Sequence, residues 1–362
     1  MTAAATTNAG WIESPKYDLW LLALPPLFGV AICSFAWALD AAIVSGVSLF
    51  LLGMPHYLST YSYYFDDKNA EYARKRAFAF YAGPVLIVLA LTGAIALKFY
   101  MLVAVVVDVW NVFHVSRQSS GILSVYRHLN AGDNRSEKVP ANLALVCIGF
   151  GLYSLTINDQ PDFMYYLRRL PIDVTPYIGP VLLSGGLIAL ATLILRMRRR
   201  AMSFVTPETI FLTTSALLFL PYVLMKDRHT ATSAMLAGHY IQYLGLIWLL
   251  NYRKYAHVTG SLKQRMLASV SRSVPRVLIL LLSLVALTTL VDRGVHHFNA
   301  MGLHNWILNL VVLMHFYLDG LVWAFKHPHT RATIGPYLLL PDHRVAAPTP
   351  APALPIPAPA VG

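Results

Sequence analysis

VLIVLALTGAIAL, from Val85 to Leu97, carries no charge and no polar face at the helical period, and VLILLLSLVALTTL, from Val277 to Leu290, repeats the pattern. A surface helix of a water-soluble protein keeps a polar stripe opposite its apolar one. A helix that is apolar all round is either buried in a large core or set in lipid. The rest of the chain decides between the two. Of its 362 residues 57% are hydrophobic and only 12% charged, against about 25% charged in soluble domains. A spanning helix needs about 20 mostly apolar residues, and such stretches recur along the chain. The expectation is an all-α, polytopic transmembrane helix bundle of about ten spans. They fall at 18–36, 41–64, 78–97, 99–126, 139–157, 176–197, 207–226, 232–252, 276–291 and 303–325.

These spans organise the sequence into three parts: an N-terminal cytoplasmic segment 1–17, a transmembrane domain 18–326, and a cytoplasmic tail 327–362. The tail is Ala/Pro-rich and is expected to be disordered or extended. Pro25-Pro26 should bend the first span and Pro55 the second. Residues 158–175 read as a polar, Tyr-rich interfacial loop. No basic n-region or cleavage site precedes the first span, which is therefore expected to do the targeting. Cys33 and Cys147 both fall inside spans and read as apolar filler, without metal or disulfide spacing.

Charge sets the expected orientation. The formal net charge is +11. Its basic residues lie between apolar runs with no stacking aromatics among them, so no nucleic-acid partner is expected. Number the loops from zero at the N-terminus. Even loops then hold 21 of the 28 Lys and Arg, odd loops hold Lys98, Arg168, Arg169, Lys226, Arg228 and Arg293, and Arg117 sits inside span four. The excess marks even loops, and with them both termini, as cytoplasmic. The expected location is a membrane, as a multi-pass protein, and in a prokaryote the inner (plasma) membrane.

Four of the 13 histidines fall within spans: His56, His114, His239 and His315. They ride on spans two, four, eight and ten, which all run in one direction. The first charge of the cytoplasmic end past each comes 10, 13, 14 and 11 residues later, at Asp66, Arg127, Arg253 and Lys326, the counts passing over Arg117 and Asp319 within the spans. At a rise of 1.5 Å per residue this is roughly 15–21 Å, so the four imidazoles share one slab of the bilayer. A polar group follows each by about one turn: Thr60 after His56, Gln118 after His114, Gln242 and Tyr243 after His239, and Asp319 after His315. Positions i, i+3 and i+4 share a helix face. Polar groups at this depth are costly and mark function.

Neutral imidazole is a common metal ligand, and imidazoles with a carboxylate suit non-haem iron. His56, His114, His239 and His315 are therefore the candidate metal ligands, with Asp319 as a candidate fifth. Gln118, Tyr243 and Thr60 would orient ligands through hydrogen bonds. Arg117 fits poorly beside a cation and is expected to pair with Asp319 or with a substrate carboxylate. A single His in a span is more often a hydrogen-bonded packing residue; the coincidence of four at one depth argues for a shared site. Tyr57, Tyr61, Tyr63, Tyr64 and Phe65 either line a hydrophobic pocket or pack in an interfacial belt.

Gly53-Met54-Pro55-His56 resembles the Gly-x-Pro-His segment of the Brp/Blh family of membrane β-carotene dioxygenases. His114-Val115-Ser116-Arg117-Gln118 and Gly238-His239-Tyr240-Ile241-Gln242 look like further ligand-bearing helices. The resemblance implies an all-helical membrane fold whose histidines bind iron. Tyr57-Leu58-Ser59-Thr60 stands where that family carries Gly and acidic residues. The clustered histidine boxes of membrane desaturases and hydroxylases are absent. The expected function is thus a membrane-embedded oxygenase, an oxidoreductase that uses iron (Fe2+) or another first-row metal. Its expected partners are the lipid bilayer, a hydrophobic small-molecule substrate and dioxygen. Asp319, Arg117, Gln118 and Tyr243 are the candidate catalytic residues. The alternatives are an ion- or proton-coupled transporter using the same residues, and a haem protein needing only two facing histidines.

Overall fold

The computed structural model describes residues 10–35, 41–131, 135–157, 161–199, 206–255, 261–297 and 301–339. Among these every regular element is helical. In chain order they are α1 (Pro15–Ala23), α2 (Pro25–Phe35), α3 (Ile43–Tyr64), α4 (Asp67–Lys75), α5 (Phe78–Ala96), α6 (Tyr100–Ala131), α7 (Arg135–Ser154), α8 (Pro161–Leu167), α9 (Thr175–Arg199), α10 (Pro207–Leu224), α11 (Arg228–Tyr255), α12 (Leu262–Ser271), α13 (Val274–His297), α14 (Met301–Val322), α15 (Pro328–Thr333) and α16 (Gly335–Leu338).

Six of these are long and apolar enough to cross a membrane: α3, α5, α6, α9, α10 and α11. The number rises to seven if the bent pair α1–α2 is one span. Expected spans five and ten are covered by the shorter apolar helices Val139–Ser154 and Trp306–Val322. Expected span nine lies in α13, whose side chains are described only in part. The exposed surface is what lipid asks for. Val85, Leu86 and Leu89 on α5, and Val181, Leu187 and Ile188 on α9, are all more than half exposed, and a contiguous apolar face of this kind would drive association in water.

α11 is the most buried of the long helices and forms the hub of the bundle. Its glycines let other backbones come close. A Cβ on Gly238 would lie 2.7 Å from the Pro25 carbonyl oxygen, and one on Gly29 would lie 2.3 Å from the Ala234 carbonyl oxygen. Small residues at such crossings are how membrane helices pack. The expected bend at Pro25-Pro26 is present, at 48° between α1 and α2. Pro26 has no N–H for the carbonyl of Leu22, four residues earlier. Gln242 Nε2 on α11 donates to that carbonyl instead, at 2.6 Å. In a span an unsatisfied carbonyl costs several kcal/mol, so Gln242 serves the break in its neighbour. α3 meets Pro55 differently: its winding widens to a π-helix over Val47–Gly53 and tightens to 3-10 over Thr60–Phe65. Such local rewinding is a recognised response to a helical proline.

Two expected boundaries move. The tail was expected to begin at residue 327, yet α15 and α16 fold back onto the bundle, because Ile334 and Leu338 fill its main apolar core. The Tyr337 carbonyl is held by Arg253 at 2.6 Å, and His329 Nε2 lies 3.0 Å from Asn69 Oδ1. Residues 340–362, with the Ala/Pro-rich stretch, lie outside the described residues. At the other end, the first helix starts at Pro15 rather than at residue 18. Ile12 is fully buried, and the buried Asp18 carboxylate accepts from the backbone amides of Ile12 and Glu13 at 2.6 and 3.0 Å and from the Tyr126 hydroxyl at 3.0 Å. The expected loop 158–175 contains the short helix α8, started by Pro161.

Candidate metal centre

The four in-span histidines come from four helices, α3, α6, α11 and α14, and meet in the middle of the bundle. Ring centroids are 4.4 Å apart for His56 and His315, 4.9 Å for His56 and His239, 4.9 Å for His114 and His315, and 5.5 Å for His114 and His239. His56 and His315 are fully buried, His239 and His114 nearly so. The local sequence explains the packing. Gly53 precedes His56 by one turn, and a Cβ there would meet the Tyr240 ring at 2.9 Å. The glycine of Gly-x-Pro-His thus makes room for the residue next to His239.

The nitrogens face inward. His315 Nε2 lies 3.2 Å from His114 Nε2, close to the edge of a tetrahedron built on metal–nitrogen bonds of about 2.0–2.1 Å. His56, His114 and His239 form one group whose ligand atoms lie within 4.8 Å of one another, and His114, His315 and Asp319 form a second that shares His114. Among the described residues neither nitrogen of His56, nor Nε2 of His239, has a hydrogen-bond partner.

Asp319 lies one turn along α14 from His315, and four donors hold it. The hydroxyls of Tyr243 and Thr60 donate to Oδ1 at 2.5 and 3.3 Å, Trp323 Nε1 donates to Oδ1 at 3.1 Å, and Gln118 Nε2 donates to Oδ2 at 3.1 Å. Oδ2 also stands 3.9 Å from His114 Nε2. Thr60 links this layer to the histidines. With its own proton directed to Asp319, its oxygen accepts from His315 Nδ1 at 2.8 Å. This arrangement, assigned from the hydrogen-bond network, fixes the His315 tautomer and leaves the Nε2 lone pair turned to the centre.

Of the nine site residues the sequence singled out, the structure brings eight together: His56, His114, His239, His315, Asp319, Gln118, Tyr243 and Thr60. Arg117 is not among them. Its side chain is exposed, and Gln118 fills the position beside Asp319 where Arg117 was expected. At about 100° per residue the two lie on opposite sides of the His114 direction, and α14 stands on the Gln118 side. Gln242 likewise turns away, to Leu22.

Two contributors were not singled out from the sequence. Trp323 follows Asp319 by one further turn, a spacing that was available to see. Tyr240 pairs with Tyr57, hydroxyl to hydroxyl at 2.5 Å, and both rings pack on His56. Tyr57 is therefore neither a belt residue nor the liner of an open pocket, and Tyr63 stacks in the core on Phe80. The side chain of Phe65 is outside the described set.

Chemically, four imidazoles and a carboxylate in a water-poor interior can hold a first-row transition metal. Comparison with family models, with curated proteins and with solved structures finds no match for this chain, so the functional reading rests on this site.

Proposed function

We propose that the chain is a ten-span membrane metalloprotein with both termini in the cytoplasm. We propose further that its His56, His114, His239, His315 and Asp319 hold iron for an oxygenase reaction on a hydrophobic, lipid-soluble substrate. The observation that carries this reading is the set of buried, unpartnered imidazole nitrogens on His56 and His239, facing His114 and His315. A buried polar atom without a partner costs on the order of 1–3 kcal/mol, and a ligand bond to a cation removes that cost. The donor set fits: neutral imidazoles with one carboxylate are borderline-hard ligands that suit iron, and five such donors leave a position open. When bound, iron would supply dioxygen activation.

The protein's own residues have distinct parts to play. His315 is oriented by Thr60. Asp319 is fixed by Tyr243, Thr60, Trp323 and Gln118. Burial of the four rings excludes bulk water from the reacting atoms. An apolar substrate and dioxygen both concentrate in a bilayer, and the exposed apolar helices are compatible with that setting.

Metal analysis of protein purified in detergent, with its absorption spectrum, tests the reading. Iron in stoichiometric amount without a porphyrin band is expected. A Soret band would establish a haem protein, and a folded protein free of metal would leave the residues as an ion or proton relay.

A further inference from the structure

The buried centre has an apolar cluster on one side and a cleft on the other. Toward the N-terminal end of α3, Met54, Tyr57 and Tyr240 form a buried apolar cluster backed by Leu236, Leu308 and Val311, and the Tyr57–Tyr240 hydroxyl pair lies within it. On the opposite side, a cleft of about 30 Å³ runs from the Asp319 layer to the end of the bundle that carries Asp66 and Lys254. Its inner wall is Thr60, Tyr243 and Trp323, and its outer wall includes Ser59, Ser62, Asn251 and Lys254. All four outer residues are partly exposed. A water needs about 10–15 Å³ of such space and two to four polar partners, so the cleft has room for about two. At its mouth Lys254 Nζ lies 3.1 Å from Asp66 Oδ2, so it carries little net charge.

We infer that this cleft is a hydrated inlet which brings water to the Thr60–Asp319 layer from the Asp66/Lys254 side only. The inference rests on reading the histidine cluster as the functional centre, but not on any metal being bound there. The hydroxyls of Thr60, Ser59 and Ser62, the Asn251 amide, the Trp323 indole and the Lys254 ammonium give that cleft polar partners among apolar walls from Ile247, Leu250 and Val322. The apolar Met54–Tyr57–Tyr240 layer blocks continuation to the other end. A relay that moves solutes across the membrane needs access from both sides in turn, whereas an enzyme working on a lipid-borne substrate needs a single aqueous side.

Cysteine accessibility tests this directly. Cys33 and Cys147 are first replaced by Ala. Ser62→Cys or Ser59→Cys is then placed in the cleft, and Met54→Cys in the seal. Inside-out and right-side-out vesicles holding the full chain are treated with a membrane-impermeant trimethylammonium methanethiosulfonate. Ser62→Cys should react from the Asp66/Lys254 side at least about tenfold faster than Met54→Cys does from either side, since thiol reactivity follows access. Ser59→Cys provides the same readout should Ser62→Cys fail to fold. Two outcomes would overturn the inlet: cleft cysteines inert from the Asp66/Lys254 side, or Met54→Cys labelled from the opposite side as fast as they are. Metal content of the same preparations is a separate result. A metal-free protein with labelled Ser62→Cys removes the metal reading and leaves the inlet in place.

Discussion

Asp319 and Gln242 both stand about one turn past an in-span histidine, yet they do different work. Asp319 gathers four donors beside His114 and His315, while Gln242 turns to the carbonyl that Pro26 leaves without a partner. Substitutions should separate them. Asp319→Asn sets an amide N–H₂ or a weaker acceptor against the donors of Gln118, Tyr243 and Trp323. Metal content should fall severalfold, and stability by about 2 kcal/mol. Arg117→Gln, on the exposed side of the same α6 turn, should change neither. Equal loss of metal in the two variants would mean that Arg117 reaches the site. Gln242→Leu strands the Leu22 carbonyl. Stability in detergent should fall by about 1–3 kcal/mol with metal content kept. Loss of metal at unchanged stability would place Gln242 in the centre instead. Helical spacing alone could not tell these neighbours apart, because i+3 and i+4 lie to either side of the histidine. Only the position of the facing helix chooses between Arg117 and Gln118, and that is tertiary information.

The long apolar helices were legible as runs of the length a bilayer requires, six of them, or seven with the bent α1–α2 pair, being long and apolar enough to cross one. Their ends were less so. Ile334 and Leu338 are too few to form an apolar period, and they are buried only because α15 and α16 fold back onto the bundle. That docked end meets Asn69 through His329, and the Asp66 carboxylate accepts from the Asn69 amide, which gives this corner a pH dependence. Burial works against the Asp66 carboxylate. The Lys254 ammonium, the Asn69 amide and the Tyr255 hydroxyl outweigh it and hold its pKa below the ordinary 3.8. A depressed carboxylate contributes stability that is complete above its unfolded pKa and is lost as pH falls through the folded one. Wild-type stability should therefore decline as pH drops from about 4 downward, and Asp66→Asn should flatten that decline while lowering stability at neutral pH. Denaturation followed across pH 3–7 would show this; identical profiles for the two proteins would remove Asp66 from the account.

At the scale of the whole molecule, the histidines were readable as a set because helices running in one direction place equal counts at equal depth. The arrangement of those helices around α11 was not readable, since it depends on backbone approaches at Gly29 and Gly238 that no hydropathy pattern reveals. Orientation rests on the distribution of Lys and Arg. Reporter fusions in 65–77 and 253–275 should both report the cytoplasm, and a periplasmic signal at either would break the ten-span order. The central claim is that the unpartnered imidazoles hold a metal. It is tested most directly by measuring metal per chain in the wild type beside His56→Ala, His239→Ala and, as a histidine outside the centre, His329→Ala. The account predicts stoichiometric iron in the wild type and in His329→Ala, and its loss in folded His56→Ala and His239→Ala. Equal metal in all four proteins, or none in a folded wild type, would contradict it.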